Sequence, residues 1–256
     1  MKDLFSDQSE LYQQARPSYP QSVISEILRH LSNRELAWDC GAGSGQFTQL
    51  LAPHFAKVIA TDLSDSQLKQ APQFENVSYQ VANAEQTNFA DHCFDLITVA
   101  QAIHWFNFDA FYQEVHRTLK HDGVLAVIGY GLIQVDDAEI DQFIQQFYAQ
   151  TLKSYWDAER RYIDEQYQTI PFPFQEIETS SLKMNFKWSL QQIVAYLNTW
   201  SALKHYLKEQ QPLNGKFEDP FAAILQNVKS RNLNIETHTF NIQFPLYLRI
   251  GRKLNT

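Results

Sequence analysis

Strand-like and helix-like segments alternate through the first half of this 256-residue chain, and the first strand runs directly into a glycine-rich turn. Together these two features predict an α/β fold built on a doubly wound, mostly parallel sheet with right-handed crossovers. The near-continuous apolar run Phe94–Ala100 supports it, because a strand covered on both faces needs apolar side chains on both.

Composition narrows the function classes. Hydrophobic residues make up 44% of the chain and the formal net charge is −8, with no run of Lys or Arg. A packed core is expected, and nucleic-acid binding through phosphate contacts is disfavoured. The two cysteines, Cys40 and Cys93, have neither zinc nor disulfide spacing, and no stretch approaches the length of an apolar membrane span. The first residues carry no apolar signal core. The expectation is a cytoplasmic protein, monomer or homodimer, with a small-molecule partner and neither membrane nor metal.

The elements follow in order. Ile24, Ile27, Leu28 and Leu31 fall on one helical face, after an extended Arg16-Pro17-Ser18-Tyr19-Pro20. The apolar run Glu35–Trp38 leads into Asp39-Cys40-Gly41-Ala42-Gly43-Ser44-Gly45, and Phe47, Leu50, Leu51 and Phe55 mark the helix behind it. Glycines in such a turn let the backbone adopt positive φ and let a ligand approach, and the helix start favours an anionic group. A dinucleotide fingerprint needs a small residue where Gln46 stands, which argues against a nucleotide-dependent oxidoreductase; no Gly-Lys-Ser/Thr phosphate loop is present.

Lys57–Asp62 reads as a second strand ending in an acid about 20 residues beyond the glycines, the offset at which a carboxylate meets ribose hydroxyls. Ser64-Asp65-Ser66-Gln67 has the form of a capping box, which would leave Asp62 to a ligand. A third strand, Val77–Ala82, precedes Asn83-Ala84-Glu85, and the fourth continues into Gln101-Ala102-Ile103-His104-Trp105-Phe106. Asn107 is placed to cap a helix running to Asp122-Gly123, followed by a fifth strand, Val124–Tyr130.

Beyond Gly131 the pattern changes. Ile140, Phe143, Ile144, Phe147 and Tyr148 predict a long amphipathic helix, and Ile170-Pro171-Phe172-Pro173-Phe174 a break. Leu182–Trp188 alternates as a strand, and the box Ser189-x-x-Gln192 opens one helix through Ile193, Leu197, Trp200 and Leu203. A helix on Phe217–Val228 follows. The last strand, Phe240–Ile250, contains Pro245, which predicts a bulge or a broken ladder.

Four stretches carry a resemblance. Asp-x-Gly-x-Gly-x-Gly at Asp39–Gly45 resembles motif I of the class I S-adenosylmethionine-dependent methyltransferases. Phe94–Phe106, the lead-in Tyr12…Arg16-Pro17-x-Tyr19-Pro20, and Thr199-Trp200-Ser201 resemble the type 11 and trans-aconitate methyltransferase-like members. The resemblance runs from about Tyr12 to Arg249, dense in the first half and sparse in the second. It implies a seven-stranded Rossmann-like methyltransferase sheet with an antiparallel last strand and a helical cover inserted after strand five. The single domain, 1–256, would divide into an N-terminal lid and helix (1–33), a cofactor-binding core (34–131), the cover with strand six (132–235) and the last strand (236–256).

The same resemblance implies S-adenosyl-L-methionine as cofactor. Arg16, Asp39, Gly41, Ala42, Gly43 and Gly45 would hold it, with Asp62, Leu63, Asn83, Ala84, Glu85 and Ala100. Asn83 stands where the family usually has Asp. His104, Trp105, Tyr130 and Trp200 would line the acceptor side, with His104 the catalytic candidate; at helical spacing Trp200 also reads as core. The implied reaction is methyl transfer to a small molecule, a carboxylic acid as in the trans-aconitate enzymes. A carboxylate needs no base, only clamps such as Arg16, His104 or His205. A hydroxyl or amine acceptor would make His104 the base. A protein that binds the cofactor without catalysis is the alternative.

Overall fold

The computed structural model describes residues 15–210 and 219–253. Its sheet contains β1 (Leu36–Cys40), β2 (Lys57–Asp62), β3 (Val77–Val81), β4 (Phe94–Ala100) and β5 (Leu119–Tyr130). Two short strands, β6 (Gln134–Val135) and β7 (Gln175–Ile177), precede β8 (Leu182–Ser189) and the long β9 (Thr239–Arg252). The seven principal strands lie in the order β3-β2-β1-β4-β5-β9-β8. β1 to β5 pair in parallel, and β9 runs antiparallel to both β5 and β8. This is the doubly wound, seven-stranded α/β sheet with an antiparallel β9.

Alternation along the strands builds a core on each face. Leu96, Val124, Ala126 and Ile128 face one cluster with Ile24, Ile27 and Leu51. Ile97, Val99, Leu125 and Val127 face the other, with Trp38, Phe111 and Val115. The helices are α1 (Gln21–Leu28), α2 (Thr48–Leu51), α3 (Asp65–Leu68) and α4 (Phe108–Thr118). The cover adds α5 (Ala138–Gln146), α6 (Arg161–Asp164), α7 (Leu190–Leu197), α8 (Ser201–Glu209) and α9 (Ala222–Ser230).

Several local expectations are modified. The helix behind the glycine turn is short and tightens into a 3₁₀ turn, Ala52–His54, because Pro53 has no N–H to extend the ladder. The box expected at Ser64–Gln67 does not form: Ser64 makes no side-chain cap, and Asp62 Oδ1 accepts the Ser64 N–H instead (2.9 Å). The box at Ser189 and Gln192 does form, and Asn107 caps α4. That helix ends at Thr118 rather than at Asp122-Gly123, since β5 begins at Leu119, opposite Phe94. The helix expected through Trp200 and Leu203 is two helices, with Trp200 at the N-terminal boundary of α8. β8 pairs through Lys183↔Pro245 without interruption. The irregularity falls on the other edge of β9, where the register steps by one residue between Tyr130↔Leu246 and Gln134↔Gln243. Tyr12 and Phe217 lie outside the described residues.

Candidate active site

The carboxyl ends of β1, β2, β4 and β5 open on one cavity, where ligands sit in open parallel sheets. The glycine turn forms its floor. Gly41 and Ala42 donate their N–H groups to Thr61 O (2.8 and 2.9 Å), which presses the turn onto the end of β2. Gly41 has φ +71° and a Cβ there would lie 2.6 Å from Ala102 Cβ, so only glycine fits. Gly43, at φ +54°, donates its N–H to Asp62 Oδ2 (2.9 Å). Both residues, with Ala42 and Leu63, line the cavity. Gly45 does not; it packs against Ala71 and Tyr79.

Two carboxylates face this floor. Asp39 is fully buried and accepts from the hydroxyls of Thr48 (2.6 Å) and Thr98 (2.8 Å). Burial nevertheless raises its pKa to about 6, against the pull of those hydroxyls. Asp62 takes the Gly43 and Ser64 N–H groups and lines the cavity at the end of β2. Asn83, Ala84 and Glu85 are not in the wall: Asn83 Oδ1 accepts from Glu85 N (3.1 Å), and Glu85 Oε1 from Asn107 N (3.0 Å).

The opposite wall is aromatic and cationic. Ala100 and Trp105 lie along it with Tyr130, whose hydroxyl takes a hydrogen bond from Arg16 Nη1 (2.8 Å). His104 is 6% exposed, and its Nδ1 is 3.1 Å from the Tyr167 hydroxyl. Burial, with the charges of Arg160 and Arg16, lowers its pKa to about 3, so the imidazole is neutral. From the cover come Trp200 and Tyr196, and Arg160, whose guanidinium lies 4.9 Å from the Trp156 ring centroid. His205 is turned away onto Tyr155 O (3.0 Å).

Arg160, Tyr196, Gln101 and Tyr167 escaped the sequence reading. Arg160 stands in a Tyr-rich segment without periodicity, and only the packing of the cover over the strand ends brings it to the cavity. Tyr196 looks like any core position of an amphipathic helix.

Comparison with known proteins bears on this geometry. A family model described as a methyltransferase domain matches residues 38–127, the span from β1 through β5. A Dictyostelium discoideum protein described as a methyltransferase is 32% identical over 98% of this chain and 95% of its own length. The chain belongs to the class I S-adenosylmethionine-dependent methyltransferase family. A Saccharomyces cerevisiae protein described as S-adenosylmethionine-dependent is 30% identical to this methyltransferase over 55% of this chain and 51% of its own. A solved structure from Anaeromyxobacter dehalogenans, described as a type II methyltransferase, superposes with a TM-score of 0.82 at 34% identity, covering 94% of this chain and 99% of its own.

The residues of this methyltransferase fit its cofactor. The turn offers a backbone surface without Cβ atoms, a buried carboxylate stands behind it for a cationic ligand, and a second carboxylate at the end of β2 can accept from hydroxyls. Among the described residues no helix is long and apolar enough to cross a membrane.

Proposed function

We propose that this methyltransferase methylates the carboxylate of a small organic acid. One observation carries the proposal: Arg16 and Arg160 line the same cavity as a neutral His104, beside Trp105, Tyr130, Tyr196 and Trp200, and their charges act on its ring. A guanidinium fork matches a carboxylate in shape and charge. An imidazole with so low a pKa is a poor base at neutral pH, and a carboxylate acceptor needs none, because it is already ionised.

In this reading the backbone of Gly41–Gly43 and Leu63 cradles the cofactor, Asp62 accepts from its ribose hydroxyls, and Asp39 faces its positive charge. Arg16 and Ala100 line the same cavity. The sulfonium of the bound cofactor supplies an electrophilic methyl group. Arg16 and Arg160 orient the acceptor carboxylate toward it, while Trp105, Tyr130, Tyr196 and Trp200 exclude water. Holding the reacting atoms aligned within about 3–3.5 Å is then most of the catalysis.

The test is methyl-ester formation from a panel of small acids, phenols and amines with isotopically labelled cofactor. Arg160→Met keeps an unbranched stem and removes the charge. It should lower kcat/KM for acids by roughly 10–100-fold, the worth of a charged hydrogen bond, with cofactor affinity unchanged in calorimetry. Methylation of phenols or amines with every acid untouched would overturn the proposal.

A further inference from the structure

One hydrogen-bond chain beside the cavity has a direction that can be worked out atom by atom. Gln101 Nε2 donates to Tyr130 O (3.0 Å), and a backbone carbonyl can only accept. This fixes the amide, so its Oε1 is the atom facing the Tyr167 hydroxyl (3.1 Å). An amide oxygen only accepts, so the single hydroxyl proton of Tyr167 is committed to it. His104 Nδ1, 3.1 Å from that same hydroxyl oxygen, must therefore bring the proton between them. With the bare nitrogen there, two lone pairs would meet. The neutral ring then carries its free lone pair on Nε2, which has no protein partner among the described residues, in a side chain that lines the cavity.

The backbone is strained where this chain is built. Gln101 has φ +55° and Tyr167 φ +60°, left-handed values that non-glycine residues adopt at a cost. Each is held by its neighbours. Gln101 N donates to Ile128 O (2.8 Å), while Tyr167 O accepts from Arg249 Nη1 (2.8 Å). Gly129 makes room for the Tyr167 ring, since a Cβ there would lie 2.4 Å from its Cε2.

We propose that Tyr167 and Gln101 are positioning residues that lock His104 as the Nδ1–H tautomer, so that Nε2 presents a lone pair to the acceptor and selects acids carrying a hydrogen-bond donor, a hydroxyl or N–H group, beside the methylated carboxylate. The selection rests on the cavity being the acceptor site, as proposed above; the tautomer does not. Arg16 and Arg160 take the anionic end, and His104 Nε2 takes the donor. The fixed tautomer matters because the other one would put an N–H toward the acceptor and favour a second anionic group instead.

The experiment uses ¹⁵N-histidine-labelled full-length protein without ligand, with the His104 signals identified by their loss in His104→Gln. Long-range ¹H–¹⁵N correlation at neutral pH should show His104 protonated at Nδ1 and bare at Nε2. Tyr167→Phe, which keeps the ring, should move the proton toward Nε2. A wild-type Nε2–H tautomer, or a spectrum unmoved by Tyr167→Phe, overturns the lock. In steady-state assays on matched acids differing by one hydroxyl, the wild type should favour the hydroxy acid about tenfold or more in kcat/KM. Tyr167→Phe should erase that preference mainly through KM. Equal use of the two acids overturns the selection. A protein that methylates no acid overturns the acceptor reading, and the tautomer result is read independently of it.

Discussion

The Gly43 N–H donates to Asp62 Oδ2 at 2.9 Å, tying the glycine turn after β1 to the carboxylate that ends β2. Asp62 therefore shapes the floor of the cavity as well as facing it. Asp62→Ala is expected to weaken cofactor binding by roughly 1.5–3 kcal/mol, the range for hydrogen bonds to a charged group. It should also lower unfolding stability by about 1–3 kcal/mol by orphaning two backbone donors. Calorimetry and denaturant titration measure the two effects separately. Affinity unchanged alongside lowered stability would confine Asp62 to the loop.

Gly45 stands outside the cavity wall, yet it constrains the turn as strongly as its neighbours. It has φ +77°, and a Cβ there would lie 2.9 Å from Ala71 Cβ and 3.1 Å from the Tyr79 hydroxyl. Gly45→Ala should cost about 1–3 kcal/mol of stability through strain and overlap, read as a lowered melting temperature.

Asp39 predicts proton release on binding. Its pKa in the folded protein is raised to about 6 from the ordinary 3.8, chiefly by burial. The sign follows from linkage: its contribution to stability is fully present below pH 3.8 and is lost as pH rises through about 6. Over that window the loss is about 3 kcal/mol. A cationic ligand reverses the preference, so cofactor binding at about pH 6, where Asp39 is half protonated, should expel up to about half a proton. Calorimetry in buffers of different ionisation enthalpy counts it.

His104 predicts the opposite slope. Its folded pKa falls to about 3 from 6.5, through burial first and then the charges of Arg160 and Arg16. Its contribution is present above pH 6.5 and is lost as pH falls toward 3, roughly 4–5 kcal/mol in all. His104→Gln, which cannot take up the proton, should move the acid-unfolding midpoint to lower pH, followed by circular dichroism. An unmoved midpoint would show that the buried ring costs nothing to ionise.

Much of this was local information and so was open to sequence. The strand, glycine turn and acid at Trp38–Gly45 and Asp62 follow from nearest-neighbour chemistry. The box at Ser189 did as well, because a cap is satisfied within three residues. The parallel core followed from the apolar runs Phe94–Ala100 and Val124–Tyr130, where each face of the sheet needs its own apolar set. Ser64 shows the limit: its box signature was outcompeted by a carboxylate two residues upstream, since Asp62 reaches the same backbone donor from a better-fixed strand end.

What tertiary structure alone decided is which charges and hydrogen-bond partners join His104, Trp105, Tyr130 and Trp200 around the cavity. Arg160 reaches the cavity only because the cover folds back over the strand ends, more than a hundred residues from the glycine turn. The tautomer of His104 depends on Tyr167 and Gln101, 63 and 66 positions apart from their partners along the chain. Local pattern encodes which residues form a strand or a turn, because those choices are settled by backbone sterics and burial within a few residues. Which side chains meet across a cavity depends on long-range packing, and no short window of sequence contains that.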